Sequence, residues 1–227
     1  MIRYCTVLAL LIVVGSCPVL AADDGASLAF ARFVSHTDTP PVDNYAIEIE
    51  ASLPQMGKKG RFEAIRHRGA TGAPEYELVK SEGDSTVKQQ IIARYLTVEQ
   101  QAYTRPAASL AFTPENYRFH YLASTESGPN RFYIFAVKPR HGGAGLIKGH
   151  IWIDGATGAV VHQEGRVAKG GSMFIRRIGI VRDAAPHVSS PYVLVTRIDI
   201  ETRLFGRAEL TIRERPALSN ANQEVGQ

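Results

Sequence analysis

The most chemically suggestive segment is GHIWIDGATGAVVHQEG, residues 149–165, in which two histidines and the single tryptophan surround an Asp-Gly-x-Thr-Gly cluster. His150 and His162 on neighbouring strands could share a metal ion, but a metal site needs further ligands and the segment offers no third one. Asp, Thr and Gly are instead the residues that a tight turn between strands requires. The segment therefore predicts a β-hairpin in which His150 and His162 form a cross-strand polar pair.

No other motif in the chain predicts catalysis. The seven histidines are scattered without the H-E-x-x-H spacing of a zinc site, and no G-x-S-x-G nucleophile motif occurs. The glycine-rich residues 140–145 precede a predicted strand, whereas a phosphate-binding loop needs the N-terminal amides of a helix. Carboxylates such as Glu48 and Glu50 recur at period two on a predicted solvent face and not as a buried acid–base pair. The sequence thus predicts a protein that is not an enzyme and has no metal and no cofactor.

Residues 1–21 have the pattern of a secretory signal. A basic residue precedes the apolar run 6–16, and Val19 and Ala21 are the small residues expected before a cleavage site. The run is shorter than a membrane-spanning helix, which does not favour the alternative of a retained anchor. A further alternative is acylation of Cys17 in the lipobox-like stretch VGSC, which would tether the protein to a membrane.

Cysteine content and charge argue against a disulfide-bonded protein and against a nucleic-acid-binding protein. Both cysteines, Cys5 and Cys17, lie in the predicted signal, so cleavage after Ala21 would leave a mature protein without a disulfide. The 26 basic and 22 acidic residues give a formal net charge of +4 and are mixed along the chain. Because no dense basic stripe occurs and the chain carries an export signal, nucleic acid is not an expected partner.

Hydrophobic periodicity predicts a mostly β protein with two helices. A short helix is expected before Pro40, and a long amphipathic helix between a cap at Asp84 or Ser85 and Pro106. Alternation of apolar and polar residues, clearest in residues 204–213, predicts many strands joined by glycine-rich turns. The expected fold class is α+β, mostly β, with an antiparallel sheet curled into a sandwich or barrel.

The stretches GHIWIDGATGAVVHQEGRVAK, FIRRIGIVRD and TRIDIETRLFGRAELTIRE resemble the LolA/LolB-like superfamily of outer-membrane lipoprotein-sorting proteins, in particular its divergent periplasmic members. In that superfamily a strand ending in Trp-x-Asp precedes a Thr-Gly turn, and a late strand carries a Phe-Gly-Arg-like segment. The resemblance covers residues 45–215. It implies a curved antiparallel sheet that forms an incomplete barrel covered by one long and one short helix. The expected parts are a secretory signal peptide 1–21, a half-barrel domain 22–217 and a flexible tail 218–227.

The resemblance also implies a function. The open face of such a sheet encloses an apolar cavity that holds acyl chains of a lipid or lipoprotein, without catalysis, in the periplasm. In the dedicated lipoprotein carrier a polar residue within the cavity controls opening, and the sequence alone assigns no equivalent here. The alternative is an envelope sensor or protein-interaction module of similar half-barrel fold, with Cys17 as a lipid anchor. The expected partners are acyl chains and an inner- or outer-membrane protein, and the chain is expected to be a monomer.

Candidate cavity walls are apolar residues of the strands and of the long helix, because ligand pockets are lined mainly by such side chains. The alternative is that the same residues only form the packed core between the sheet and the helix. The candidates are Ile47, Ile49, Ile91, Tyr95, Phe119, Phe135 and Trp152.

Overall fold

The computed structural model describes eight segments of the chain, which contain every helix and strand discussed below. The predicted secretory signal with Cys17, and the predicted tail 218–227, lie outside the described residues. Within the described part, no helix is long and apolar enough to cross a membrane. The described segments are residues 24–35, 44–69, 73–103, 111–142, 145–168, 175–184, 193–203 and 206–217.

Ten antiparallel strands form one open sheet. Their order across the sheet is β3-β2-β1-β10-β9-β8-β7-β6-β5-β4, so β1 pairs with β10, and β3 and β4 are the two edges. Irregular pairing within four of the strand pairs bends the sheet. The expected incomplete barrel is therefore confirmed. The strands are β1 (Asn44–Leu53), β2 (Lys58–Arg68), β3 (Pro74–Gly83), β4 (Tyr117–Ser127), β5 (Asn130–Pro139), β6 (Ile147–Asp154), β7 (Val160–Val167), β8 (Ile175–Ala184), β9 (Leu194–Thr202) and β10 (Arg207–Pro216).

Two helices accompany the sheet. Helix α1 is Asp24–Ser35, and helix α2 runs through Ser85–Val87, a π-helical turn at Lys88–Ile92 and Ala93–Tyr103. Of the two residues that the sequence offers as the cap of α2, the structure uses Asp84. Its carboxylate accepts hydrogen bonds from the backbone N–H groups of Thr86 at 2.8 Å and Val87 at 3.2 Å. These two donors would have no partner inside the helix, so the cap fixes where α2 begins.

The predicted hairpin joins β6 to β7. Asp154 Oδ1 accepts hydrogen bonds from the backbone N–H groups of Ala156 and Thr157 at 3.0 and 2.7 Å. Gly158 has a positive φ of 78°, and a Cβ at this position would lie 2.6 Å from Arg32 Cβ. The turn therefore lies directly against α1.

Candidate ligand-binding face

One face of the sheet carries both helices, and we call it the inner face. Alternate residues of each strand point towards it, and the buried apolar side chains on it form two separate clusters. One lies under α2 and the other under α1, so each helix covers its own part of the sheet. We call them the α2 cluster and the α1 cluster.

The α2 cluster occupies strands β1, β2, β9 and β10. Helix α2 contributes three buried side chains, Val87, Ile91 and Ile92. Tyr95 and Leu96 of the same helix are partly buried and pack against the cluster, which extends the apolar stripe by another turn. The buried strand residues are Ile47, Ile49, Ala51, Leu53, Ala64, Ile198, Ala208, Leu210 and Ile212.

The α1 cluster occupies strands β4, β5 and β6 and is rich in aromatic rings. The ring centroid of Phe30 lies 5.0 Å from that of Phe119 and 5.4 Å from that of Phe135. Phe33, one turn further along α1, lies 5.8 Å from Phe119 in an edge-on arrangement. Such tilted arrangements are those that aromatic side chains favour. The buried strand residues are Tyr117, Tyr133, Phe135, Val137, Ile147, Ile151 and Ile153.

Between the two clusters the inner face becomes polar. Gln163 of β7 and Thr196 of β9 are each only 4% exposed, and they are the buried polar residues of the described chain. Arg182 of β8 lies opposite both of them. The two clusters are thus separated by a strip in which all three side chains carry hydrogen-bond donors.

A network of charged side chains joins α2 to the sheet. Arg66 of β2 contacts Glu99 of α2 at 3.0 Å and Glu214 of β10 at 2.6 Å. The three side chains are 16%, 15% and 12% exposed, so water screens these contacts only weakly. The network combines one positive with two negative charges beneath the C-terminal half of α2.

The network contributes to the raised pKa values of two tyrosines beside it, Tyr76 and Tyr95. Burial raises the pKa of Tyr76 well above its ordinary value, and the negative charge of Glu99 adds to the effect. Burial and the same carboxylate raise the pKa of Tyr95, whereas Arg182 acts in the opposite direction. The hydroxyl of Tyr76 is buried without a hydrogen-bond partner among the described residues. Both phenols therefore stay neutral at physiological pH.

The structure distributes the predicted cavity residues over three places. Ile47, Ile49 and Ile91 are buried in the α2 cluster, and Tyr95 packs against it. Phe135 is buried in the α1 cluster, and Phe119 packs against it. Trp152 lies on the opposite, outer face, because Ile151 and Ile153 on either side of it point inward. The structure thus brings six of the seven candidates to the inner face but divides them between two clusters.

Trp152 has polar neighbours on the outer face. Its ring lies 4.5 Å from that of His162 and 6.3 Å from that of His150, edge-on in both cases. His162 bonds Asp183 at 2.6 Å, and Asp183 also bonds Arg197 at 2.7 Å. Partial burial acts to raise the pKa of Asp183, but the hydrogen bonds from these two partners hold it below its ordinary value. The expected cross-strand pair of His150 and His162 is therefore wrong, because His150 lies opposite Glu164 and His162 lies opposite Trp152. Each histidine contacts a carboxylate instead, His150 that of Glu164 at 3.2 Å and His162 that of Asp183.

No group of three or more His, Cys, Asp or Glu side chains that could hold a metal ion occurs in the described part of the chain. Two depressions of about 420 and 300 Å³ open beside strands β1 and β2, and most of the residues that line them point to the outer face.

Sequence reasoning missed the charged network. The sequence pattern that indicates this network is a charged residue at the next inward-facing position of a strand. Arg66 follows the inward-facing Phe62 and Ala64 at period two. Glu214 follows Leu210 and Ile212 in the same way. Continuing each alternation by one step would have placed both charges on the inner face.

Comparison with known proteins gives similar solved structures only. No protein-family model and no curated protein matches the chain. A LolA superfamily protein from Nitrosomonas europaea is 11% identical, with a TM-score of 0.40 over 83% of this chain and 90% of that one. A putative outer-membrane lipoprotein-sorting protein domain from Vibrio parahaemolyticus is 14% identical, with a TM-score of 0.35 over 87% and 94% of the two chains. A DUF1329 family protein from Desulfovibrio piger is 12% identical, with a TM-score of 0.44 over 86% and 93%.

Two of these three structures bear names of the superfamily that the sequence resembles. The identities are all below 15% and the TM-scores all below 0.5. The function proposed below is for this reason derived from the geometry of the chain itself.

Proposed function

We propose that this protein is a periplasmic carrier that holds acyl chains of a lipid or lipoprotein on the inner face of its sheet, without catalysis. The observation that carries the proposal is the arrangement of the inner face, in which two separate helices cover two separate apolar clusters of one open sheet. A helix that packs on a sheet mainly through one apolar stripe can exchange that contact for contact with an acyl chain. The exchange is feasible because each methylene of the acyl chain that leaves water contributes about 0.8 kcal/mol to the free energy of binding.

The two helices differ in how strongly they are held. Helix α1 buries Ala26, Ala29 and Phe33, and the guanidinium of Arg32 donates a hydrogen bond to the carbonyl of Gly155. Helix α2 is held by three large aliphatic side chains and by the charged network as well. We expect an acyl chain to enter the α1 cluster first, because lifting α1 leaves the contact between Arg66 and Glu99 intact.

The charged network holds α2 on the sheet through an ion pair. Separating Glu99 from Arg66 would break one of the two ion pairs of Arg66 and leave the carboxylate of Glu99 without this positive charge. Arg66 is the residue of this chain that we assign to the role of controlling opening. Opening of α2 would then require either water or a ligand group to replace the contact with Glu99.

Native mass spectrometry of the chain, purified gently from a bacterial envelope, tests the proposal. The expected species carries a releasable lipid, and the protein should also increase the fluorescence of cis-parinaric acid in a saturable manner. A ligand-free mass in repeated preparations, together with no fluorescence increase, would contradict the proposal. The same spectrum tests the proposed localisation, since cleavage after Ala21 and acylation of Cys17 give different masses.

A second function is favoured by one feature of the sheet edge. Leu78 and Val79 of the edge strand β3 are 58% and 61% exposed, and an edge strand has backbone groups free to pair with another chain. This favours an envelope module that binds a partner protein. A stable complex with a defined partner, in which the carrier holds no lipid, would support this function over the first.

A further inference from the structure

The polar strip of the inner face lies in the middle of a single row of residues that crosses the sheet. Cross-strand pairing joins Gln163 to Arg182 and Arg182 to Thr196 as direct neighbours. On one side the row continues through apolar residues of the α1 cluster, and on the other through apolar residues of the α2 cluster. In order across the sheet, the row is Phe135, Ile151, Gln163, Arg182, Thr196, Ile212, Ile49 and Phe62.

One of the two buried members of this strip, Gln163, has a side-chain amide without a partner among the described residues. Gln163 is 4% exposed, and its Nε2 is buried without a hydrogen-bond acceptor among the described residues. A buried amide that makes no hydrogen bond lowers the stability of the fold, and such groups are rare in folded proteins. Gln163 lies opposite Ile151 of the α1 cluster, where an apolar side chain would continue the core. A buried glutamine at this place therefore points to an acceptor that the described residues do not supply.

Arg182 adds a positive charge beside this amide. Its side chain is exposed although it lies on the same face as Ile178 and Ile180, which pack on the α2 cluster. No carboxylate of the described residues forms an ion pair with it. A guanidinium has five donors and no acceptor, and it favours the oxygens of phosphate and carboxylate groups.

We propose that Gln163, Arg182 and Thr196 form a binding site for the anionic headgroup, phosphate or carboxylate, of an amphiphile whose acyl chains lie in the flanking clusters. The proposal rests on the carrier function and adds the class of ligand. The three donors span two inter-strand spacings, or about 10 Å, which suits a headgroup with its ester or acid oxygens. The apolar row on either side then receives chains that leave the headgroup in either direction.

Three probes distinguish the contribution of the headgroup to binding from that of the acyl chain. They are hexadecyl phosphate, hexadecanol and inorganic phosphate. Each is used to displace the neutral fluorophore N-phenyl-1-naphthylamine from the full chain purified from the envelope. Hexadecyl phosphate is expected to displace the fluorophore at a concentration roughly tenfold to hundredfold lower than hexadecanol, because it adds hydrogen bonds to a charged group. Inorganic phosphate is expected to displace none.

Two variants test the named donors. Arg182→Gln and Gln163→Leu are each expected to lower the preference for hexadecyl phosphate by about tenfold, with no change in the displacement by hexadecanol. Gln163→Leu removes a buried group without a partner, so its thermal unfolding temperature should not fall. Arg177→Gln is the matched control, because Arg177 lies on the same strand, carries the same charge and points to the outer face, where it lies 4.0 Å from Glu201. It should leave the preference unchanged.

Three results would overturn the site. These are equal displacement by hexadecyl phosphate and hexadecanol, an effect of Arg177→Gln as large as that of Arg182→Gln, and displacement by inorganic phosphate as effective as that by hexadecyl phosphate. In the first two cases the carrier function stands without a headgroup site. If neither amphiphile displaces the fluorophore and neither is retained in native mass spectrometry, the carrier function fails together with the site.

Discussion

Replacing Arg66 by methionine is expected to be among the most damaging single changes in this fold. Methionine keeps most of the side-chain volume but leaves Glu99 and Glu214 without the guanidinium that both now contact, at 3.0 and 2.6 Å. Removing one partner of such a buried charged group costs about 3–5 kcal/mol, because the remaining charges are uncompensated. The free energy of unfolding should fall by about this amount at neutral pH.

Arg61→Met is the control for this change. Arg61 lies on the same strand but on the outer face, is 45% exposed and contacts Glu48 and Glu63. An exposed ion pair contributes about 0–1 kcal/mol, so the control should lose no more than that. Urea denaturation monitored by far-ultraviolet circular dichroism measures both variants. In a thermal scan, each kcal/mol should correspond to roughly 2–4 °C for a domain of this size.

A third variant separates the loss of a charge pair from the loss of packing. In Arg66→Met/Glu99→Gln/Glu214→Gln no charge remains unpaired, so most of the lost stability should return. Two results would refute the reasoning. One is an Arg66→Met variant no less stable than Arg61→Met, and the other is a triple variant no more stable than Arg66→Met alone.

Three further predictions concern the helix cap, the tight contact between two strands and the binding face. Burial acts to raise the pKa of Asp84, but hydrogen bonds from the backbone of Val87 and Thr86 outweigh it and lower this pKa. The Asp84 cap therefore contributes fully to stability above the unfolded pKa of about 4, and this contribution is lost as the pH falls through the folded-state pKa. Urea titrations should show that Asp84→Asn removes this acid-dependent part. Gly149→Ala should lower the free energy of unfolding by about 3 kcal/mol or more, since the new Cβ would lie 2.0 Å from the carbonyl oxygen of Glu164. Phe119→Ala should weaken binding of cis-parinaric acid about tenfold through lost apolar contact, whereas Trp152→Phe should leave it unchanged.

Each of these has a contrary outcome. An Asp84→Asn variant with the same acid dependence as the parent protein would show that the cap does not titrate with folding. Gly179→Ala is the control for Gly149→Ala, because its Cβ would meet only ordinary contacts at 3.8 Å or more, so it should change stability by less than about 1 kcal/mol. Equal losses in the two glycine variants would contradict the steric explanation. A Trp152→Phe variant that binds as weakly as Phe119→Ala would place the ligand on the outer face.

Much of the local structure follows from local sequence. Alternation at period two predicts the faces of β1, where Ile47 and Ile49 are buried and Glu48 and Glu50 pair with Arg213 on the other side. Helical spacing predicts α2, although the choice of Asp84 over Ser85 as its cap needed the structure. These features depend on residues within a few positions of one another, so the sequence contains the information that they need.

The candidate site could be predicted only in part. Apolar content identified six residues that do lie on the inner face, but the alternation around Trp152 already separated it from Ile151 and Ile153. Strand phase, and not aromatic character, decides the face on which Trp152 lies. The division of the inner face into two clusters depends on which helix covers which strands, and no local pattern specifies that.

Local sequence specifies the helices, the alternation of most strands and the turn of the 149–165 segment. Which faces meet depends on the tertiary structure. Arg66, Glu99 and Glu214 come together because β1 pairs with both β2 and β10, while α2 crosses above them. The row through Gln163, Arg182 and Thr196 likewise exists only in the register of three strands. Register between strands is set by the burial of a whole face and by the turns between strands, so these groupings are properties of the folded sheet and not of any local segment.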